Sequence, residues 1–180
     1  MRKMVMVGSS LLLVLAAAAS PLRAQQDKSK RPSPPATAQC DLGGGKSVTI
    51  DYSSPRKKGR NVFPDLVKFG EVWRTGANEA TTFVTTGDVM VGGTRVPAGS
   101  YTLFTIPGKD KWTLIISKKT GEWGTNYPGE KEDLARVEMK AETASVPVEN
   151  FTISFEKAGK GCNLKLAWDT TAAWVSVGTM

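Results

Sequence analysis

From Val48 to the C-terminus the sequence falls into short runs in which apolar and polar residues alternate, separated by Gly, Pro and Asn, with no long stretch of helical period. A period of two gives a strand one apolar and one wetted face, so such a chain must fold by laying strands over a shared core. Val48, Ile50 and Tyr52 alternate with Ser47, Thr49 and Asp51, and Phe151, Ile153 and Phe155 with Thr152, Ser154 and Glu156. Leu164, Leu166 and Trp168 alternate with Lys165 and Asp169, and Trp112, Leu114 and Ile116 stand opposite Thr113 and Ser117. Residues 99–106 and 172–177 are apolar on both faces, which predicts strands covered on both sides. Gly92 and Gly93 interrupt the run from Val89 to Val96 where a tight hairpin turn needs positive φ, so neighbouring strands pair antiparallel. Further runs at 72–75, 80–86 and 134–140 bring the total to roughly nine or ten strands, more than one open sheet holds without curling or splitting. The expectation is an all-β fold, an antiparallel two-sheet β-sandwich, with helical turns confined to 61–69 and 129–134.

The segment ahead of this domain has a different composition. Arg2 and Lys3 precede an apolar run from Met4 to Ala19, and Ser20-Pro21-Leu22-Arg23-Ala24 follows, the order of a secretory signal peptide over residues 1–24. The run is short for a membrane span and no second one follows, so a periplasmic or extracellular chain without a transmembrane segment is expected. Residues 25–39 carry Pro32, Pro34, Pro35, lysines and serines but no large apolar side chain, which predicts a disordered spacer before a single domain at 40–180. The whole chain has 24 Lys and Arg against 17 Asp and Glu, for a formal charge of +7. Loss of Arg2, Lys3 and Arg23 with the leader leaves +4, and the spacer holds half of the remaining excess, so the segment from Cys40 onward has 18 bases against 16 acids. The domain is therefore close to neutral, which argues against a nucleic-acid partner.

There is no histidine. That excludes Ser-His-Asp and Cys-His nucleophile systems and any imidazole-ligated metal. Cys40 and Cys162 are the only cysteines, and in an oxidising compartment they are expected to form a disulfide. Closing so long a loop stabilises by roughly 4 kcal/mol, less any strain. Nothing in the sequence calls for a cofactor. Gly43-Gly44-Gly45-Lys46-Ser47 lacks the first glycine of a phosphate-binding loop and leads into a strand.

Three blocks carry candidate binding residues. Ser54-Pro55-Arg56-Lys57-Lys58-Gly59-Arg60 packs four cations into a turn, where Arg56 and Arg60 offer planar forks to an anion. Val72-Trp73-Arg74-Thr75-Gly76-Ala77-Asn78-Glu79-Ala80-Thr81 puts an aromatic, a guanidinium, an amide and a carboxylate close together, the equipment for holding a polar small molecule. The alternative for that block is architecture, with Arg74 paired to Glu79 and Trp73 in the core. Gly121-Glu122-Trp123-Gly124-Thr125-Asn126-Tyr127-Pro128 is a loop with two aromatics.

On the first two blocks, together with Pro97-Ala98-Gly99-Ser100-Tyr101-Thr102-Leu103-Phe104, Trp112 and Trp123-Gly124, the chain resembles an uncharacterised family of secreted bacterial proteins, a domain of unknown function. The resemblance covers roughly 48–157 and implies export and one compact domain, with no activity or ligand to carry over.

The leading expectation is an exported, non-catalytic binding module in which Arg56, Arg60, Trp73, Arg74, Asn78 and Glu79 face a polar or anionic ligand such as a glycan. The alternatives are a structural or interaction protein of the cell envelope, and a glycosidase-like enzyme using two carboxylates such as Glu71 and Glu79.

Overall fold

The computed structural model describes residues 27–123 and 126–180, so the expected leader lies outside the described residues. Nine strands form one open antiparallel sheet: β1 Pro35–Gly43, β2 Lys46–Ser53, β3 Thr81–Thr85, β4 Val89–Val91, β5 Thr94–Val96, β6 Gly99–Ile106, β7 Lys111–Ser117, β8 Asp133–Ala158 and β9 Gly161–Thr179. Their order across the sheet is β1-β2-β3-β6-β7-β8-β9-β4-β5. Among the described residues helical structure is limited to short turns, a π turn at Val62–Leu66 and 3-10 turns at Lys28–Lys30 and Glu130–Glu132; the first and last of these fall within the two expected segments. No helix among the described residues is long and apolar enough to cross a membrane.

The all-β class and the strand count follow the alternation, but the two expected sheets are one continuous ladder. The cause is the length of β8 and β9, 26 and 19 residues, which pair with each other from Lys140↔Trp174 to Ala158↔Gly161. The first part of β8 pairs with β7, and its register against β9 shifts between Thr143 and Val148 and again before Thr152. Such bulges bend a strand without ending its pairing. Past the bend, β8 meets the chain leaving β2: Lys57 N–H donates to Glu149 O at 2.8 Å and Phe151 N–H to Pro55 O at 2.8 Å. The sheet therefore curls over its own apolar face. Val48 and Ile50 of β2, Phe151 of β8, Leu164 and Leu166 of β9 and Met139 from the other end of β8 share one core and are fully buried.

The faces follow the alternation for β2, β7 and both halves of the β8–β9 hairpin. Residues 101–105 of β6 are all buried, as a strand covered on both sides requires. Residues 172–177 depart from that expectation. Trp174 is half-buried under the Lys140 ammonium, 5.1 Å from its ring centroid, and Ser176 is exposed, so this stretch has one wet face. The run at 72–75 makes only a two-hydrogen-bond bridge between Trp73 and Thr105. Gly92 and Gly93 have φ of 54° and 82° and close the β4–β5 hairpin. A Cβ on Gly92 would lie 2.3 Å from Val137 Cγ1, so the turn also needs glycine for space.

Residues 35–39, read from composition as part of the spacer, are instead the first half of β1. Ala36, Ala38, Cys40 and Leu42 supply an inward face too small at its start to stand out against three prolines. Pro35 is tolerated because β1 is an edge strand and needs no donor on its open side.

Cys40 on β1 and Cys162 on β9 are joined by a disulfide, with Cα atoms 6.5 Å apart. These strands are separated by five others in the ladder, so the bond spans the opening left by the curl. Replacing both cysteines by alanine is expected to lower unfolding free energy by about 4 kcal/mol, because the bridged loop holds about 120 residues. Equilibrium unfolding in guanidinium checks this, and a loss below about 1 kcal/mol would mean that the curl holds without the staple.

Candidate functional site

Two loops built by the curl face each other over Trp168. The first, residues 54–66, leaves β2 and is pinned from below. Arg56 Nη1 donates to Ser54 Oγ at 2.8 Å, and Ser54 Oγ donates to Phe151 O at 2.7 Å. The Lys57 ammonium pairs with the Asp169 carboxylate, whose other oxygen accepts Val62 N–H at 3.2 Å. Asp169 is buried, with φ of 53°, at the step in the β8–β9 register. Burial pushes its carboxyl up, but the bonds from Lys57, Val62 and Thr170 outweigh this and hold it below the usual carboxylate range. Of the four cations in this turn, Arg56 and Lys57 thus serve the loop itself. Arg60 is exposed, and its guanidinium also braces the turn, with Nε donating to Lys57 O at 2.9 Å and Nη2 to Arg56 O at 2.5 Å.

The second loop carries the Trp-Arg-Thr-Gly-Ala-Asn-Glu block. Trp73 stacks on Trp168 with centroids 5.9 Å apart and planes 19° apart, and its edge contacts Phe151 at 4.9 Å. Thr75 is fully buried with φ of 56°, a left-handed conformation costly for a β-branched residue. It is held there by Thr81 Oγ1 donating to its carbonyl at 2.8 Å and by its own hydroxyl on Thr105 Oγ1 at 3.1 Å. Asn78, also left-handed with φ of 56°, donates through Nδ2 to Ser33 O at 2.9 Å. Glu79 takes Arg31 Nη1 on both oxygens, at 2.9 and 3.0 Å, and Lys28 Nζ at 3.0 Å. The expected alternative of an Arg74–Glu79 pair is therefore not formed.

Arg74 is half-buried, and its one side-chain hydrogen bond among the described residues runs from Nε to Gly76 O at 3.4 Å. Burial lowers its pKa, yet no carboxylate among the described residues pairs with it. Its two terminal nitrogens have no hydrogen-bond partner among the described residues. Arg74 lines a cleft of about 300 Å³ with Ser33, Arg60, Leu66, Trp73 and Trp168 together with small apolar groups, and no acidic side chain among the described residues lines it. Of the six expected site residues the fold thus brings Arg60, Trp73 and Arg74 to one cleft, while Arg56, Asn78 and Glu79 hold the walls. Glu71 pairs instead with Lys68, at 3.6 Å. In a smaller hollow of about 160 Å³ near Lys28, Arg31, Asp51 and Glu79, both cations are already paired with Glu79. No group of three or more Cys, Asp or Glu side chains among the described residues is gathered as a metal site.

Sequence reasoning passed over Ser33, Leu66, Trp168 and Asp169. Trp168 was legible as the buried end of an alternating strand, but its contact with Trp73 depends on the curl. In the loop at 121–128, Trp123 is 59% exposed, whereas Tyr127 packs on Phe104 at 5.2 Å and donates to Asp133 at 2.8 Å.

Asp169→Asn keeps a side chain suited to positive φ and removes the charge, stranding the Lys57 ammonium. The expected loss is about 2–4 kcal/mol at pH 7, read by equilibrium unfolding. Glu79 gives a pH signature. Burial pushes its carboxyl up, but its own backbone N–H and the donors from Arg31 and Lys28 prevail and bring it down to about 2. A depressed carboxylate stabilises fully above its unfolded value, near 4.5, and loses this as pH falls towards 2. With allowance for solvent screening of a partly exposed pair, Glu79→Gln is expected to cost on the order of 1 kcal/mol at pH 7, a difference that fades between pH 4.5 and 2. Parallel stability curves for the two proteins across that range would refute the assignment.

No curated protein matches the chain, and neither does any solved structure. A family model matches residues 33–177, from the serine that lines the cleft to two residues short of the end of β9, and the chain belongs to that family, described as Protein of unknown function (DUF2911).

Proposed function

We propose that the protein is an exported, non-catalytic binding module whose cleft holds a small organic anion, an acidic sugar or other carboxylate with an apolar face. The observation that carries this reading is Arg74: a partly desolvated guanidinium with no carboxylate partner among the described residues, on an acid-free cleft beside Arg60. Such a group matches the two oxygens of a carboxylate. Trp73, Trp168 and Leu66 supply apolar surface for the body of the ligand. The polar side chains lining the cleft are two guanidiniums and one hydroxyl. That favours an anion over a neutral glycan, whose hydroxyls need acceptors as well as donors. Export is supported by the leader at 1–24.

The architectural reading is supported for Asn78 and Glu79, whose side chains are spent on the N-terminal segment. Nothing comparable supports it for Arg74. The two-carboxylate enzyme is disfavoured, because Glu71 and Glu79 have separate cationic partners and Glu79 is held ionised, the reverse of what a general acid needs.

Tryptophan fluorescence and calorimetry with 2-naphthoate, glucuronate, glucose and sulfate test the proposal. Binding of 2-naphthoate or glucuronate, with little response to glucose, is expected. Arg74→Ala is expected to weaken that binding at least about tenfold, the loss of one charge-assisted pair, while shifting the thermal midpoint by only about 2–4 °C. A collapse of the midpoint in Arg74→Ala, with no anion response in either protein, would make the block architecture.

A further inference from the structure

Residues 28–34 have no large apolar side chain to bury, yet they are fixed at several points along one side of the cleft. Ser54 N–H donates to Pro34 O at 2.9 Å, Asn78 Nδ2 to Ser33 O at 2.9 Å, and Arg31 and Lys28 both engage Glu79. Ser33 is itself part of the cleft lining. The loop that presents Trp73 and Arg74 to the cleft therefore ends, four to six residues later, in the side chains that grip this segment.

We propose that residues 28–34 form a strap that completes one wall of the cleft, with Asn78 and Glu79 as its latch, so that latch strength and ligand affinity are coupled. This rests on the anion-binding reading above. The anchors are polar, and the Lys28 and Glu79 side chains are about half and one-third exposed. A segment held by such bonds, with no apolar burial, opens at a small fraction of the global unfolding free energy. Arg31, only 20% exposed and bound to both oxygens of Glu79, is the strong member, and Lys28 adds little. Pro32 and Pro34 restrict the chain between the anchors, so release at Glu79 is transmitted to Ser33 rather than absorbed. Coupling of this kind is reciprocal: a ligand resting against the closed strap must also hold it shut.

The test uses two variants and two readouts. Glu79→Gln removes the ionic latch. Asn78→Gly removes the clasp on Ser33 while keeping a residue that accepts positive φ. Affinity for 2-naphthoate is measured by calorimetry, and strap opening by the rate of trypsin cleavage after Lys28 and Lys30, followed by mass spectrometry. Each variant is expected to weaken 2-naphthoate binding about three- to tenfold and to speed cleavage at both lysines by a similar factor. Saturating 2-naphthoate is expected to slow cleavage in wild type but not in Arg74→Ala, whose strap remains latched. Wild-type binding with unchanged affinity in both variants would overturn the strap alone. Absence of binding in wild type would overturn the anion reading and the strap with it. Equal cleavage rates in wild type with and without a bound ligand would overturn the coupling.

Discussion

A nine-stranded antiparallel sheet with one apolar face cannot remain flat in water; it must find a cover for that face or become one. Here the sheet covers itself, and everything else depends on how. The hairpin of β8 and β9 runs through both halves of the fold and keeps its ladder while its register slips near Val148. That bend carries Phe151, Leu164 and Leu166 over β2, and it brings Cys162 within bonding reach of Cys40. It also creates a buried site for a charge. Asp169 sits at the slip in a conformation that few residues tolerate, and its carboxylate is acceptable there because Lys57 and the Val62 amide arrive to satisfy it.

The candidate cleft is a by-product of the same bend. Once β9 lies over the chain leaving β2, Trp168 becomes the floor between two loops that are distant in sequence from it. Each loop splits its polar residues between two tasks. Arg56 and Lys57 turn inward to the frame while Arg60 stays at the rim; Asn78 and Glu79 grip the N-terminal segment while Trp73 and Arg74 stay at the cleft. The strain in Thr75, a buried β-branched residue at positive φ, lies at the division between the two tasks of the second loop. Backbone held in such a state by surrounding hydrogen bonds is the kind of feature that accumulates where side chains must be aimed.

Much of the fold was legible because strand periodicity is a local property. The runs at Val48, Trp112, Phe151 and Leu164 bury the faces their alternation predicts. The first strand was not legible from composition: Ala36 and Ala38 give a weak apolar face, and three prolines read as disorder unless an edge position is known. Neither was the continuity of the sheet, since a strand of 26 residues with a bulge looks in sequence like two strands with a turn between them. For the site, the residue types in the block at 72–81 marked the right loop, but composition cannot say which way successive side chains point.

The sequence by itself determined the all-β class, the antiparallel hairpins, the pairing of its two cysteines and the loops that hold guanidiniums beside tryptophan, because each follows from local period, glycine placement or counting. Only the tertiary structure decided that Glu79 answers Arg31 rather than Arg74, that Lys57 pairs with the buried Asp169, and that Arg74 has no carboxylate partner among the described residues beside Trp73 and Trp168. The physical reason is that the partner of a charge is set by distance in space, and here those distances depend on a bend in two long strands more than sixty residues further along the chain.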